Sequence, residues 1–266
     1  MIKRIFNYAN RWVVAFFGVG TTYLAFFKLC DEGRYLILGV CLFLSLVAIV
    51  CSVLYYNYRL RYQCKYNGIN INVTYGDLFA QEGMKVIPVN EFFDTLVDVD
   101  CVSENSLHGA FLKKHNYSIG SIQKAIEEDS HLKEAIVSQE HQRIKGNTMK
   151  YKLGSSVVFE DYLLYSFTHF DRLNHAHISL AEYYENMVRL WEEINDRYNA
   201  CTQVSVPLFG AGITRFDGGN CLSKQHMLQI MLLTLKQSRC SFCSGFTLQI
   251  VLHESVKNDI NLNELD

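Results

Sequence analysis

From Tyr35 to Tyr56 the chain carries no charged residue, and Leu, Val and Ile dominate. An apolar helix of about 20 residues is long enough to cross the hydrocarbon core of a bilayer. A helix apolar on every face is unusual at the surface of a soluble protein. The run therefore predicts a membrane span. A second uncharged run, Trp12 to Phe27, precedes it across a polar turn from Lys28 to Arg34. This run is marginal in length, but Leu29 and a snorkelling Lys28 extend it. Residues 1–65 thus read as a helical hairpin, with spans at about 12–29 and 35–56. A cleaved signal peptide fits less well: no small-x-small cleavage site follows the first run, and the second span comes at once.

The flanks set the orientation. Lys3, Arg4 and Arg11 lie before the first span, and Arg59, Arg61 and Lys65 lie after the second. The turn between them balances two basic residues with Asp31 and Glu32. The positive-inside rule puts the N-terminus and everything after the hairpin in the cytoplasm. Nine cysteines, an odd number at scattered positions, agree with free thiols in a reducing compartment. Cys240 and Cys243 form one C-x-x-C with no second pair, which reads as two thiols rather than a zinc site. A net charge of −2 gives no basic surface for nucleic acid. Small residues four apart, Gly18/Thr22 and Ala48/Ser52, hint at helix self-association.

From Gly68 the pattern becomes that of an α/β domain, taken as residues 66–266. Ile69, Ile71 and Val73 alternate with polar residues as a half-buried strand. Met84 to Val89 is a second strand, and residues 101–109 read as a loop. A helix is expected over Ser121 to Val137, and a hairpin at Val157–Phe159 and Tyr162–Phe167. Ser179 to Ala200 is the clearest helix, with Ser179 and Glu182 as a capping box and a stripe of Leu180, Tyr184, Met187, Val188, Trp191 and Tyr198. Strands alternating with helices imply a mainly parallel or mixed sheet covered on both faces.

Val204 to Leu208 then reads as a buried strand. Gly210, Gly212, Gly218 and Gly219 follow, and a helix begins near Ser223. Strand, Gly-rich loop and helix N-terminus together suit a phosphate, because main-chain amides approach the anion closely. In open α/β sheets, ligands bind beyond the carboxyl ends of the strands. Asp77, Asn90 and Gly210 to Arg215 are thereby expected on neighbouring rims of one cleft.

Gly76-Asp77 after one strand, Val89-Asn90 after another, a Ser/Gly loop ending at Gly109, and Pro207-Leu208-Phe209-Gly210-Ala211-Gly212-Ile213 resemble the macro domain, an ADP-ribose-binding fold. Two membrane helices ahead of it resemble the membrane-bound effectors of bacterial Thoeris anti-phage systems. The resemblance implies a three-layer α/β/α domain with a mixed sheet. It implies that Asp77 accepts a hydrogen bond from adenine and that Asn90 borders the distal ribose. Ser106, Leu107, His108 and Gly109 on one side, and Pro207, Phe209, Gly210, Ala211, Gly212, Ile213, Thr214 and Arg215 on the other, would clamp the diphosphate. It further implies no cofactor or metal, and a location in the bacterial inner membrane. The ligand would be an ADP-ribose derivative, with a histidine conjugate the form for this branch, made by a partner TIR enzyme. Binding would drive homo-oligomerisation and membrane damage.

One departure bears on catalysis. Macro hydrolases carry a second Asn three residues after the Val-Asn pair, where this chain has Phe93. No Ser/His/Asp or Cys/His arrangement stands in the loops, and His108 is the nearest base. His175-Ala176-His177 has no carboxylate or cysteine pattern to complete a metal site. The expectation is a binding effector without catalytic residues. The alternatives are a membrane-anchored ADP-ribosyl or nucleotide hydrolase, or a domain that only docks a protein.

Overall fold

The computed structural model describes all residues except 1, 28–30, 58–59, 99–100, 172, 199–201, 220–221, 239 and 266. Two units separate: residues 1–62 with 261–266, and residues 63–260.

The first unit is built on two long helices, α1 (Ile2–Phe26) and α2 (Asp31–Asn57). They pack closely where α1 has Gly20: a Cβ there would meet the Cys41 sulfur at 2.6 Å. The Cys41 thiol reaches the Phe16 carbonyl at 3.5 Å. The residues α2 buries are Cys41, Ser45 and Ser52, whereas Leu36, Leu42, Phe43, Leu46, Val50 and Leu54 are exposed. Among the described residues one helix, Asp31–Leu54, is long and apolar enough to cross a membrane. Two such helices were expected. In α1 the charges and amides of Lys3, Arg4, Asn7, Asn10 and Arg11 leave an uncharged stretch only from Trp12 to Phe26, short of the roughly 20 residues a span needs. The expected end of the first span, at residues 28–29, lies outside the described residues.

The strands, of which β1 begins in the first unit and the rest lie in the second, are β1 (Arg61–Tyr66), β2 (Ile69–Tyr75), β3 (Met84–Asn90), β4 (Ile136–Gln139), β5 (Met149–Tyr151), β6 (Ser156–Phe159), β7 (Tyr162–Phe170), β8 (Ala176–Ile178), β9 (Gln203–Pro207), β10 (Arg215–Phe216) and β11 (Thr247–Leu252). The helices are α3 (Leu107–Lys114), α4 (Ile119–Glu128), α5 (Ser130–Glu134), α6 (Leu180–Arg197) and α7 (Lys224–Gln237). The main sheet runs β1-β2-β11-β9-β3-β7-β8-β10, with β6 also paired to β7, while β4 and β5 form a separate ribbon. Strands β2, β11, β9, β3 and β7 are parallel neighbours. β6 and β8 run antiparallel to β7. The sheet is mixed, as expected.

Alternation along β7 divides the core. Tyr162 and Leu164 join Ile87 and Val89 of β3 in one cluster with Phe111, Ile122, Ile126 and Leu132 of α3, α4 and α5. Tyr165 and Phe167 face the other way, edge-on to Phe209 at 5.8 and 4.9 Å, and Phe167 meets Tyr183 of α6 at 5.9 Å. Trp191 of α6 is fully buried and donates Nε1 to Thr234 of α7 at 2.9 Å. Helices thus cover both faces, giving three layers.

Three elements differ from their sequence reading. The helix over 121–137 breaks at Asp129, whose carboxylate accepts from Leu132 N–H at 2.8 Å to start α5, and residues from Ile136 on form a strand. Asp129 is held there by Arg197 at 3.1 Å. The capping box of α6 is present, but its buried face is Tyr183, Met187, Leu190, Trp191 and Ile194. Tyr184 and Val188, expected inside, are 43% and 40% exposed. Finally, the glycine loop is not followed directly by a helix: β10 intervenes and pairs with β8, so the N-terminus of α7 does not belong to that loop.

Phe209 was read as a ligand contact, yet its ring is fully buried against Tyr165 and Phe167, and its carbonyl accepts from the Tyr183 hydroxyl at 3.1 Å. Truncating a buried Phe removes its transfer free energy and leaves a cavity. Phe209→Ala is expected to destabilise the domain by roughly 3–5 kcal/mol. Urea unfolding checks this, and a loss under about 1 kcal/mol would contradict the packing described.

Candidate functional site

Strands β3, β7 and β9 end side by side, and a cavity of about 590 Å³ opens at their carboxyl ends. Pro88, Val89 and Asn90 of β3, Phe167 and Thr168 of β7, and Pro207 and Leu208 form its base. One wall is Val102, Ser103 and Asn105 to His108, the other is Gly210 with Gly212 to Arg215, and Phe170, Asn174 and His175 close the side between β7 and β8. Among the described lining residues Arg215 is the only Arg or Lys, and none is Asp or Glu.

Ten of the sequence-predicted residues line this cavity: Asn90, Ser106, Leu107, His108, Pro207, Gly210, Gly212, Ile213, Thr214 and Arg215. Gly109, Phe209 and Ala211 adjoin them in the chain but do not line it. Asp77 stands apart. Its carboxylate caps the turn Leu78–Ala80, accepting from Phe79 N–H at 2.9 Å, and the residue is exposed.

Ser106 is the N-cap of α3, a helix the sequence reading had left as loop. Its Oγ accepts from Gly109 N–H at 2.9 Å and donates to the Ser103 carbonyl at 2.7 Å. Gly109 fits because a Cβ there would meet the Ser103 carbonyl oxygen at 2.2 Å. The next amides, of Leu107 and His108, are among those a helix leaves without internal partners. The helix terminus facing the cavity is therefore that of α3, not α7. Burial pushes the His108 imidazole down to about 4, with the nearby Asp94 carboxylate only partly opposing it. His108 is neutral at pH 7 and offers a hydrogen bond, not a charge.

Asn90 lines the cavity, but its amide is engaged behind the wall. Oδ1 accepts from Phe92 N–H at 3.0 Å, and Nδ2 donates to Asp94 at 2.9 Å. Asp94 is fully buried and receives both guanidinium nitrogens of Arg143, at 2.8 and 2.5 Å. Phe93, in the hydrolase Asn position, has φ of 49° and packs edge-on to Tyr151 in the core. His175 and His177, weighed as a metal pair, are tied to different carboxylates: Asp171 at 3.1 Å and Asp217 at 3.2 Å.

A second polar group backs the cavity. In β7, Thr168 and Phe170 line it, so the intervening His169 points away. His169 Nδ1 meets Glu91 at 2.5 Å and Nε2 meets Glu182 of α6 at 2.9 Å, while Lys150 lies 3.2 Å from Glu91. The hydrogen bond to Glu91 raises the His169 pKa, burial opposes it, and Glu182 adds to the rise. Burial works against ionised Glu91, but His169, Lys150 and the Phe170 N–H outweigh it and hold its pKa low. Glu182 likewise overcomes burial through Ser179 and His169 and falls to about 2. Sequence reading missed this triad and the Asp94–Arg143 pair. The partners lie far apart in the chain, and the one local trace was β7 itself, which runs past Phe167 to Phe170.

Comparison with known proteins gives consistent matches. A family model described as Thoeris protein ThsA, Macro domain, matches residues 71–253. The Thoeris protein ThsA of Bacillus amyloliquefaciens strain Y2 is 32% identical over 250 residues, covering 92% of this chain and 83% of that protein. Among solved structures, the Oceanobacillus iheyensis macrodomain with MES bound has a TM-score of 0.49 at 11% identity, covering 77% of this chain and 95% of that one. The macrodomain of Thermus aquaticus DarG has a TM-score of 0.41 at 13% identity, with coverage of 70% and 99%.

The Glu91–His169–Glu182 triad sets a pH dependence. A raised His pKa adds stability that is complete below the unfolded value of 6.5 and is lost as pH rises through the folded value. The two lowered carboxylates add stability that is complete above 4.5 and is lost as pH falls through their folded values. Stability from this group is therefore greatest between these limits. Thermal melting read by Trp191 fluorescence in a Trp12→Phe background should fall from about pH 5.5 to about pH 8.5, and His169→Gln should flatten that fall. Parallel curves for the two proteins would refute the assignment.

Proposed function

Because this chain belongs to the Thoeris ThsA macro-domain family, we propose that it is a membrane-anchored sensor of anti-phage defence whose cavity binds an ADP-ribose-derived nucleotide. The signal is the product of a partner TIR enzyme, as its histidine conjugate. Binding drives chains to assemble and damage the bacterial inner membrane, arresting the infected cell.

The observation that carries the reading is the cavity's lining. It sits at the carboxyl ends of parallel strands, with the N-terminus of α3 on one wall, Arg215 on the other, and no carboxylate among its described residues. That suits a nucleotide diphosphate. It suits a hydrolase less, because a general base must reach the cavity. His108, with a pKa near 4, is a weak base, His175 is tied to Asp171 at 3.1 Å, and Phe93 lies in the core.

The hairpin supports the output. α2 buries Cys41, Ser45 and Ser52 against α1 and exposes its Leu, Val, Ile and Phe side chains, the reverse of a water-soluble hairpin. Two helices do not enclose a pore, so damage needs several chains. A ligand promotes that assembly only by binding the assembled state more tightly.

Gly212 is the site for the test. A Cβ there meets nothing within 4 Å and its φ is not positive, whereas Gly210 has φ of +79° and a Cβ on it would lie 3.2 Å from the Tyr183 ring. Gly212→Glu should leave the fold intact and place a carboxylate beside the diphosphate. In calorimetry of the detergent-solubilised chain, ADP-ribose or its histidine conjugate should bind to wild type, be recovered intact, and lose at least about tenfold in affinity in Gly212→Glu. Rapid turnover would favour the hydrolase. Absence of binding by wild type would favour a protein-docking role. For the anchor, Val47→Arg places a charge at mid-span, at a cost of about 2.5–3.5 kcal/mol for insertion. The membrane-pelleted fraction should fall, and an unchanged fraction would count against α2 as a span.

A further inference from the structure

Residues 136–151 form an excursion from the main sheet: β4, a loop, and β5. At its tip Ile144 is 97% exposed, but its neighbour Arg143 turns inward and is 9% exposed. Its guanidinium lies 3.9 Å from the centre of the Phe92 ring. One nitrogen donates to Asp94 at 2.8 Å and to the Asn147 carbonyl at 2.5 Å. The other donates to Asp94 at 2.5 Å and to Asn174 Oδ1 at 3.1 Å. Asp94 in turn receives Asn90 Nδ2. One guanidinium therefore ties together Asn90, at the end of β3, and Asn174, in the turn from β7 to β8. Both line the cavity, and Arg143 does not.

Such a fork serves two acceptors at once because its donors are planar and fixed relative to one another. A lysine at 143 would keep a charge near Asp94 but would not reach Asn174 in the same geometry. The wall that Arg143 braces is not the one formed by the glycine loop. With the diphosphate read as lying between the α3 N-terminus and the glycine loop, this is the side left to a ligand group beyond the diphosphate.

We propose that Arg143 is a positioning residue which, without touching ligand, sets the cavity's preference for a nucleotide with a sugar beyond the diphosphate over the bare nucleoside diphosphate. This rests on reading the cavity as an ADP-ribose site. Arg143 holds Asn90 and Asn174 at a set separation, so the sugar meets a formed wall. ADP, which ends at the diphosphate, does not use that wall.

The test is calorimetry of the full chain in detergent with ADP-ribose and with ADP, for wild type, Arg143→Lys and Asn174→Ala, with melting temperatures alongside. Wild type should prefer ADP-ribose. Arg143→Lys should weaken ADP-ribose at least about tenfold and ADP by less than about threefold. Asn174→Ala should change the ratio in the same direction. Equal weakening of both nucleotides in step with a lower melting temperature would assign Arg143 a merely structural role and overturn the proposal. So would an unchanged ratio, or a wild type without preference. If Arg143→Lys fails to fold, Asn174→Ala decides, since it leaves the Asp94–Arg143 pair in place: a retained ratio overturns the proposal and a collapsed one supports it. A wild type that binds neither nucleotide overturns the sensor reading and this inference together. One that binds both with variants unaffected overturns only this inference.

Discussion

Asp94 is a carboxylate with no exposed surface, and the segments around the cavity are arranged to meet its charge. Removing an ionised carboxylate from water costs several kcal/mol unless a cation and hydrogen bonds replace the solvent. Here Arg143 supplies two donors, Asn147 N–H one at 2.7 Å, and Asn90 Nδ2 one at 2.9 Å. These partners come from the end of β3 and from the loop between β4 and β5. Arg143 then reaches on to Asn174 in a third segment. One buried charge thus gathers three pieces of chain that the parallel sheet alone would leave as independent loops.

The sheet determines where that gathering matters. Parallel strands need crossovers, and crossovers leave the carboxyl ends of β3, β7 and β9 together at one edge of the domain. Residues alternate at those ends. Thr168 and Phe170 enter the cavity, while His169 between them turns to Glu91 and Glu182. Asn90 lines the cavity with its amide turned behind the wall to Asp94, and Glu91 turns away. Glu91, Asp94 and Glu182 thereby sit behind the walls, where His169, Lys150 and Arg143 meet them, and Arg215 lines the cavity.

The hairpin has the opposite pattern of burial. In the α/β domain, Trp191, Tyr165 and Phe209 are buried, and the charges buried with them, such as Asp94 and Glu91, are paired. In α2, Ser45 and Ser52 are inside and the branched aliphatic residues are outside. A seam of small residues permits close helix approach, as Gly20 shows against Cys41, and leaves the apolar side chains of α2 exposed.

Much of this was legible along the chain. The uncharged run of α2, the strands β2, β3 and β9, the β6–β7 hairpin and the capping box of α6 are local patterns of hydropathy or capping. Of the residues that strand ends and glycines pointed to, Asn90, Gly210, Gly212, Ile213, Thr214 and Arg215 line the cavity, while Ser106, Leu107, His108 and Pro207 were named by the family resemblance. The misreadings have a common cause. Asp129 stops a helix because Arg197, 68 residues away, holds it. Tyr184 and Val188 lie outside because α7 covers the neighbouring face of α6. Phe209 is core because β7 brings Tyr165 and Phe167 against it, and Asp77 caps its own turn rather than joining the cavity. The sequence by itself determined which segments are apolar, which turn and which cap, since those depend on neighbours within a few residues. Only the tertiary structure decided which charge meets which, and hence which walls the cavity has, because a buried ion is satisfied by whatever partner the fold brings within hydrogen-bonding distance.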